Sequence, residues 1–350
     1  MNISRRKFIA FALVAISLSV GAVLALLLVA DLVLHARAER SAGLNRYGYR
    51  GPVVGSKQSG EFRAVMLGGS TVFGYGVSRQ DAIPAVVERE LRSRLQQPVS
   101  VVNLGYNNEG AYSFLPNLTD FAYLDYDLVV LYEGYNDLTG DESPNTAVFR
   151  RDSAVFRLTG YFPMLPLYLD EKAKMLRYGG DLGAAYAASR GDQKVVFSPN
   201  LFQRTSAGAM EAAAAVTNAL GEQLGRFSEP SAAAVSKESA IGCRYPWVNY
   251  CHSIHTAVRY ALARGNTVAV VGQPMIRYRV QLVHAHQQEV LASMIKREFA
   301  GESRVRYIDL SDAVDLSNAS LAFDPMHLNA QGNAAVGAAL ATALMSFIAR

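Results

Sequence analysis

From Arg63 onward the chain alternates short, almost wholly apolar runs with longer helix-like stretches, and no other feature constrains its fold as tightly. The apolar runs are Arg63–Leu67, Val99–Leu104, Leu128–Tyr132, Thr267–Gly272 and Val305–Leu310. Strands buried on both faces read this way, because a parallel sheet covered by helices has no wet side to alternate towards. Between and after them lie Ala82–Leu95, Tyr112–Leu124, Asn249–Arg264, Gln281–Phe299 and Ala330–Ile348, each long enough for a helix. Such alternation predicts an α/β domain, a five-stranded parallel sheet in a three-layer α/β/α sandwich. In open sheets of this kind, binding and chemistry gather outside the carboxyl ends of the strands.

Residues 138–248 interrupt the pattern, and the gap is too long for a plain loop in a compact domain. It reads as an insertion, in the position of a cap over the site. Its Ala-rich stretch Ser206–Leu224 reads as a helix, and an aromatic stretch runs from Phe156 to Tyr168. Phe162, Pro163, Leu165 and Tyr168 either pack the insertion onto the core or contact an acyl chain or bilayer; their spacing does not choose. The two cysteines, Cys243 and Cys251, stand at the insertion's end. In an exported domain they would pair, closing a short loop around Pro246 and Trp247. His252 and His255 raise zinc as an alternative, but the close cysteine pair of common zinc sites is missing. A disulfide staple followed by two helix-surface histidines is the expectation.

At the N-terminus Arg5, Arg6 and Lys7 precede an uncharged run, Phe8–Ala30, that Asp31 ends. About 20 apolar residues span a bilayer core, whereas the core of a signal peptide has about 7–15. The run is therefore read as an uncleaved transmembrane helix, with Ala36-Arg37-Ala38 as the cleavage-like sequence that keeps removal open. Ser4-Arg5-Arg6-Lys7-Phe8-Ile9 resembles a twin-arginine export signal, with Ala10 where that pattern often has lysine; an ordinary positive flank is the simpler reading. Arg37, Arg40, Arg46 and Arg50 follow the run, so counting positive charges does not orient it. The short head before it favours a cytoplasmic N-terminus and an extracytoplasmic domain, periplasmic or extracellular. The domain plan is then 1–34 for head and anchor, 35–60 for a polar, Gly-rich linker, and 61–350 for the domain with its insertion at about 138–248. The chain of 350 residues is 50% hydrophobic and 18% charged, which excludes a disordered protein. Its net charge of +4 is scattered, with no basic run interleaved with aromatics, which argues against a nucleic-acid partner.

Four strand-end segments carry chemistry: Val65-Met66-Leu67-Gly68-Gly69-Ser70-Thr71, Asn103-Leu104-Gly105, Gly134-Tyr135-Asn136-Asp137 and Phe323-Asp324-Pro325-Met326-His327-Leu328-Asn329. Singly, each has a plain structural reading. A serine after glycines caps a helix, an asparagine after Gly-Tyr shapes a turn, and an Asp-x-x-His pair can be structural. Together, each after a predicted strand, they fit acyl transfer. Ser70 is a nucleophile once a base takes its proton. His327 is that base, and Asp324 holds its tautomer and stabilises the imidazolium. The N–H groups of Ser70 and Gly105 and the side-chain amide of Asn136 are candidate donors to an oxyanion.

These four segments resemble the four blocks of the SGNH (GDSL-type) hydrolase family, whose letters fall here on Ser70, Gly105, Asn136 and His327, with Asp324 in the family's Asp-x-x-His position. The resemblance covers about 63–137 and 266–349. Upstream, Asn45-Arg46-Tyr47-Gly48-Tyr49-Arg50-Gly51 resembles the lead-in of many exported members. Gly69 stands where the family often has Asp and Thr71 where it often has Leu, and the long insertion is a further departure. The resemblance implies a flavodoxin-like SGNH hydrolase fold and ester hydrolysis through an acyl-enzyme on Ser70, with no metal or organic cofactor. The expected substrate is an acylated carbohydrate of the cell envelope, O-acetyl above all, or a lipid ester. Two alternatives remain open: an acyltransferase acting on an envelope glycan through the same residues, and a non-catalytic glycan-binding or assembly protein. Nothing in the sequence specifies an oligomeric state.

Overall fold

The computed structural model describes residues 5–107, 109–138, 159–177, 243, 246–275 and 282–348, with short pieces at 205–206, 209–210 and 212–213. The chain divides into two units, one of residues 1–41 with 152–228 and one of 42–151 with 229–350.

The second unit holds the sheet. Its strands are β1 (Phe62–Gly68), β2 (Val99–Asn103), β3 (Leu128–Tyr132), β4 (Thr267–Gly272) and β5 (Val305–Asp309), all parallel in the order β2-β1-β3-β4-β5. This is the flavodoxin-like order expected. Val65 pairs with Val102 on one side and with Val129 on the other. The period of two then divides each strand between two cores. Ala64, Met66, Leu128, Val130, Ala269 and Val271 share one core with Val87 and Leu91 of helix Ile83–Arg94 and Val336 and Leu340 of helix Ala330–Ile348. Val65, Leu67, Val129, Leu131, Val268 and Val270 are equally buried on the other face, against helices Phe114–Asp120, Val248–Ala263 and Leu282–Glu298. Each fully buried Val or Leu contributes roughly 1.5–3 kcal/mol, so the two-sided core accounts for the continuous apolar runs. β5 has one neighbour and is only partly buried.

The stretch Tyr112–Leu124, expected as one helix, is broken. A 3-10 turn at Ala111–Ser113 leads into the helix Phe114–Asp120, and a second follows at Ala122–Leu124. Pro116 is the reason at the front, since it lacks an N–H and its ring excludes an α-helical carbonyl four residues back. Residues 43–51, read from their glycines as linker, are packed into the domain. Asn45, Tyr49 and Arg50 are buried, and the Tyr49 ring meets Phe121 edge-on at 5.8 Å. Cys243 and Cys251 form a disulfide with Cα atoms 6.2 Å apart. His252 is half-buried on helix Val248–Ala263. His255 departs from the surface position expected of it: it is buried, with its ring 5.2 Å from Phe299.

In the first unit, helix Arg5–Ala42 is long and apolar enough to cross a membrane by length and composition. Its polar residues Asp31 and His35 are buried. Asp31 accepts the N–H groups of Met164 (2.8 Å) and Leu165 (2.6 Å) and the Tyr161 hydroxyl, and so caps helix Leu165–Arg177. His35 Nε2 donates to the Phe162 carbonyl at 2.6 Å. Phe162 is buried and Tyr168 exposed. Phe156 and nearly all of the Ala-rich stretch Ser206–Leu224 lie outside the described residues.

Numbered in chain order, the helices are α1 (Arg5–Ala42), α2 (Ser70–Phe73), α3 (Ile83–Arg94), α4 (Phe114–Asp120), α5 (Leu165–Arg177), α6 (Val248–Ala263), α7 (Leu282–Glu298) and α8 (Ala330–Ile348). After β1 the chain moves outward to β2, then returns across β1 to β3. The loops after β1 and β3 therefore diverge at the point where the winding reverses, where such sheets open a crevice.

Candidate active site

Ser70 opens α2 directly after β1 and is 7% exposed. Its Oγ lies 2.8 Å from His327 Nε2, across 257 residues of sequence. His327 Nδ1 in turn donates to Asp324 Oδ2 at 2.8 Å. The other Asp324 oxygen accepts the N–H groups of Met326 (2.8 Å) and His327 (2.7 Å). A bridge between Ala322 and Leu328 closes the base of this loop. Burial alone would raise the Asp324 carboxyl, but the hydrogen bonds from His327 and Met326 outweigh it and hold it below the ordinary carboxylate range. An ionised Asp324 keeps the imidazole proton on Nδ1 and leaves Nε2 as acceptor for a hydroxyl proton. The exposed Tyr75 ring lies 4.8 Å from the imidazole. Ser70, Thr71, Tyr75, His327 and Asn333 line the crevice here.

Asn136 sits in the 3-10 turn Tyr135–Asp137 after β3 and is exposed. One Nδ2 hydrogen goes to the Glu109 carbonyl at 2.7 Å, which leaves the second for another acceptor. Gly105 is placed differently from its expected role. Its only N–H is donated to Asn103 Oδ1 at 3.0 Å. A Cβ on Gly105 would lie 2.6 Å from the Phe73 nitrogen and 2.8 Å from Val72 Cβ. The residue is thus pressed against α2, where Asn103 Nδ2 also binds the Val72 carbonyl at 2.9 Å.

Two residues escaped the sequence reading. Gly110 lies in the same loop, beside Asp137: a Cβ there would lie 2.7 Å from Asp137 Oδ1. No hydrogen bond among the described residues engages its N–H. Its signal was a second glycine after β2, five residues beyond the one chosen. Glu133, the residue after β3, is 2% exposed. Its carboxylate accepts the N–H groups of Gly69, Gly134 (2.9 Å) and Asn136 (3.2 Å). Burial, and then the Asp137 carboxylate, push Glu133 up to about 8 against the pull of those three N–H groups. Burial likewise raises Asp137 to about 6, opposed by the Ala111 N–H. Among the described residues no cluster of three or more His, Cys, Asp or Glu is placed to hold a metal ion, and both cysteine sulfurs are engaged with each other.

The sequence profile of the GDSL-like lipase/acylhydrolase family matches residues 66–335. No curated protein matches the chain. Among solved structures, the psychrotrophic esterase EstA from Pseudoalteromonas sp. is 8% identical, with a TM-score of 0.44, and the match covers 82% of this chain and 99% of that one. An acetylxylan esterase from Geobacillus stearothermophilus is 14% identical at a TM-score of 0.41, covering 85% and 96%. A member of the lipolytic protein G-D-S-L family from Veillonella parvula is 10% identical at 0.41, covering 81% and 98%. At such identities and scores these likenesses carry no argument about substrate. The family match is different in kind, because it spans most of the chain and takes in the loops of Ser70, Asn136 and His327. On that match the chain belongs to the GDSL-like lipase/acylhydrolase family and is an ester-hydrolysing enzyme.

Proposed function

We propose that the enzyme is a serine esterase in which Ser70, His327 and Asp324 form the catalytic triad. The observation that carries this reading is the unbroken relay from Ser70 Oγ to His327 Nε2 and from His327 Nδ1 to Asp324 Oδ2, both at 2.8 Å. His327 takes the Ser70 proton as Oγ attacks the acyl carbon, and the negative charge moves to the former carbonyl oxygen. The Ser70 N–H and the free Asn136 Nδ2 hydrogen stabilise that oxyanion, with the Gly110 N–H as third donor in place of Gly105, which instead supports α2 from behind. His327 then returns its proton to the departing alcohol, leaving Ser70 acylated. Water, deprotonated by His327, attacks the acyl carbon, and the breakdown of the second tetrahedral intermediate frees the acid and Ser70.

The substrate we favour is an O-acyl, chiefly O-acetyl, ester of a cell-envelope carbohydrate, with a lipid ester second. Helix α1 would anchor the enzyme with its catalytic domain outside the cytoplasm. The exposed aromatics Tyr75 and Phe323 flank His327, Phe323 through its N–H to the His327 carbonyl at 2.8 Å. Such rings suit the apolar face of a sugar at the rim of a shallow site. The test is a series of p-nitrophenyl esters from acetyl to long chain, given to the detergent-solubilised protein and its Ser70→Ala variant. Serine-dependent turnover peaking at acetyl supports deacetylation, and a peak at long chains moves the assignment to lipid esters. No Ser70-dependent release, with or without a glycan acceptor, overturns the reading.

A further inference from the structure

The nucleophile stands on a helix too short to hold itself. α2 has four residues, far below the length at which helix formation is self-sustaining. Its own hydrogen bonds are few: Phe73 N–H to the Gly69 carbonyl at 3.0 Å, and Gly74 and Tyr75 N–H to the Ser70 carbonyl at 2.9 and 3.0 Å. We infer that two buried polar side chains, the Glu133 carboxyl and the Arg50 guanidinium, grip this helix at its two ends and are positioning residues for Ser70. The inference rests on the serine-esterase reading above.

At the front, one Glu133 oxygen accepts the Gly69 N–H and the other accepts the N–H groups of Gly134 and Asn136. A single carboxylate therefore ties the turn that presents Ser70 to the turn that presents Asn136. Position 69 must be glycine for this to work. A Cβ there would lie 2.7 Å from Glu133 Oε2 and 2.2 Å from Asn136 Nδ2. The side chain that position 69 lacks is replaced by one reaching in from the end of β3. At the back, the Arg50 guanidinium donates to the carbonyls of Phe73, Gly74 (2.8 Å) and Val77 (2.7 Å), and through Nε to Ala42 (2.7 Å). It also lies over the Phe73 ring, 4.5 Å from its centroid. Arg50 is 6% exposed, and among the described residues carbonyls rather than a carboxylate receive it. Positive charge at the C-terminal turn also complements the dipoles of the peptide groups before it. Burying either polar group without partners is costly, and a fold that needed only packing would place apolar residues there. Both act through the main chain of α2 and its flanking turns, which is how they set the Ser70 Oγ against His327 and the oxyanion donors against each other. A displacement of about 1 Å in such a site is enough to cost about 10²-fold in rate.

The test uses the full chain in detergent and three variants: Glu133→Gln, Glu133→Asp and Arg50→Lys. Gln keeps the shape but turns an N–H donor towards a main-chain donor; Asp keeps the carboxyl but loses reach; Lys keeps the charge but loses the fork. Each is followed by kcat and KM on p-nitrophenyl acetate, by the rate at which a fluorophosphonate labels Ser70, and by its melting curve. The expected result for Glu133→Gln is a fall in kcat of about 10–10²-fold, KM within about threefold, and labelling slowed in parallel. Glu133→Asp follows it, and Arg50→Lys shows about a tenfold loss of the same kind. Folded variants that label and turn over within about twofold of wild type, or that change KM alone, overturn the inference. If Glu133→Gln does not fold, Glu133→Asp decides by the same criteria. A wild-type protein that the fluorophosphonate does not label at Ser70 overturns the serine reading itself, whereas normal wild-type labelling with unaffected variants overturns only the grip.

Discussion

The two sides of the proposed active site, Ser70 as nucleophile and His327 as base, are built in opposite ways. The base side is local and open: Asp324 and His327 lie three residues apart, most of their contacts fall within one turn, and the Asp324 side chain is 43% exposed. The nucleophile side is buried and assembled from afar. Ser70 stands on a four-residue helix, and the groups that steady it come from 64 residues beyond Gly69 at Glu133 and 24 residues before Gly74 at Arg50. A mobile acid–base group can be oriented by one carboxylate close in sequence. A nucleophile that must meet both a base and an oxyanion site needs its main chain held in three dimensions. The side that moves protons is cheap in structure, and the side that sets geometry uses buried polar groups.

The largest effects fall where the two sides meet. Ser70→Ala and His327→Ala should each lower kcat by about 10⁴-fold or more while melting as wild type does; turnover near wild type in either variant removes the triad. Asp324→Asn should follow at about 10²–10⁴-fold, with the fold unaffected because the loop is exposed; a loss of structure instead would show that the base side is not local after all. Asn136→Ala should cost about 10²–10³-fold, in kcat far more than in KM, because its donor acts on the transition state. A pure KM effect would assign Asn136 to substrate binding.

The two site carboxylates should also respond to pH with opposite sign. Asp324 is held below its ordinary value of 3.8, so its contribution to stability is present above that pH and is lost on acidification. Glu133 is raised from 4.5 to about 8, so folding is favoured most below 4.5 and loses that contribution as pH rises towards 8. Asp137, itself raised, and the Tyr250 hydroxyl, which donates to the Glu133 carbonyl at 2.7 Å, face the same pocket. Denaturant melts across this range should show the alkaline decline flattened in Glu133→Gln and unchanged in Asp324→Asn; an identical decline in both variants would place its origin elsewhere. The smallest effect lies away from the site. Replacing both cysteines by serine opens a loop of 8 residues and should cost about 2 kcal/mol in the same melts, with kcat on p-nitrophenyl acetate unchanged.

What could be read from the chain follows this division. The five strands were legible to within a residue or two: burial on both faces leaves β1, β3 and β4 as continuous apolar runs, and the alternation with helix-length stretches marked the edge strands. The Asp324–His327 pair was legible because its spacing is its geometry. Tyr112–Leu124 misled, since apolar content suggested one helix where Pro116 in the first turn leaves a separate 3-10 turn ahead of Phe114–Asp120. Residues 43–51 misled as well, because glycines and arginines look like linker until Tyr49 and Arg50 are found buried.

The sequence by itself determined the layer architecture, the long apolar N-terminal helix, and the residues around which a serine, a histidine and a carboxylate could meet. These rest on period, run length and short spacing, which are properties of neighbouring residues. Only the tertiary structure decided where the two glycines after β2 lie and which side chains hold the turns around α2. Gly105 and Gly110 differ in where β2 delivers them, one beneath α2 and the other beside Asp137. Glu133 and Arg50 look like ordinary strand-end and loop charges until the fold buries them against α2. A buried polar side chain is meaningful through the N–H and carbonyl groups it finds, and those are brought to it by the packing of the whole sheet.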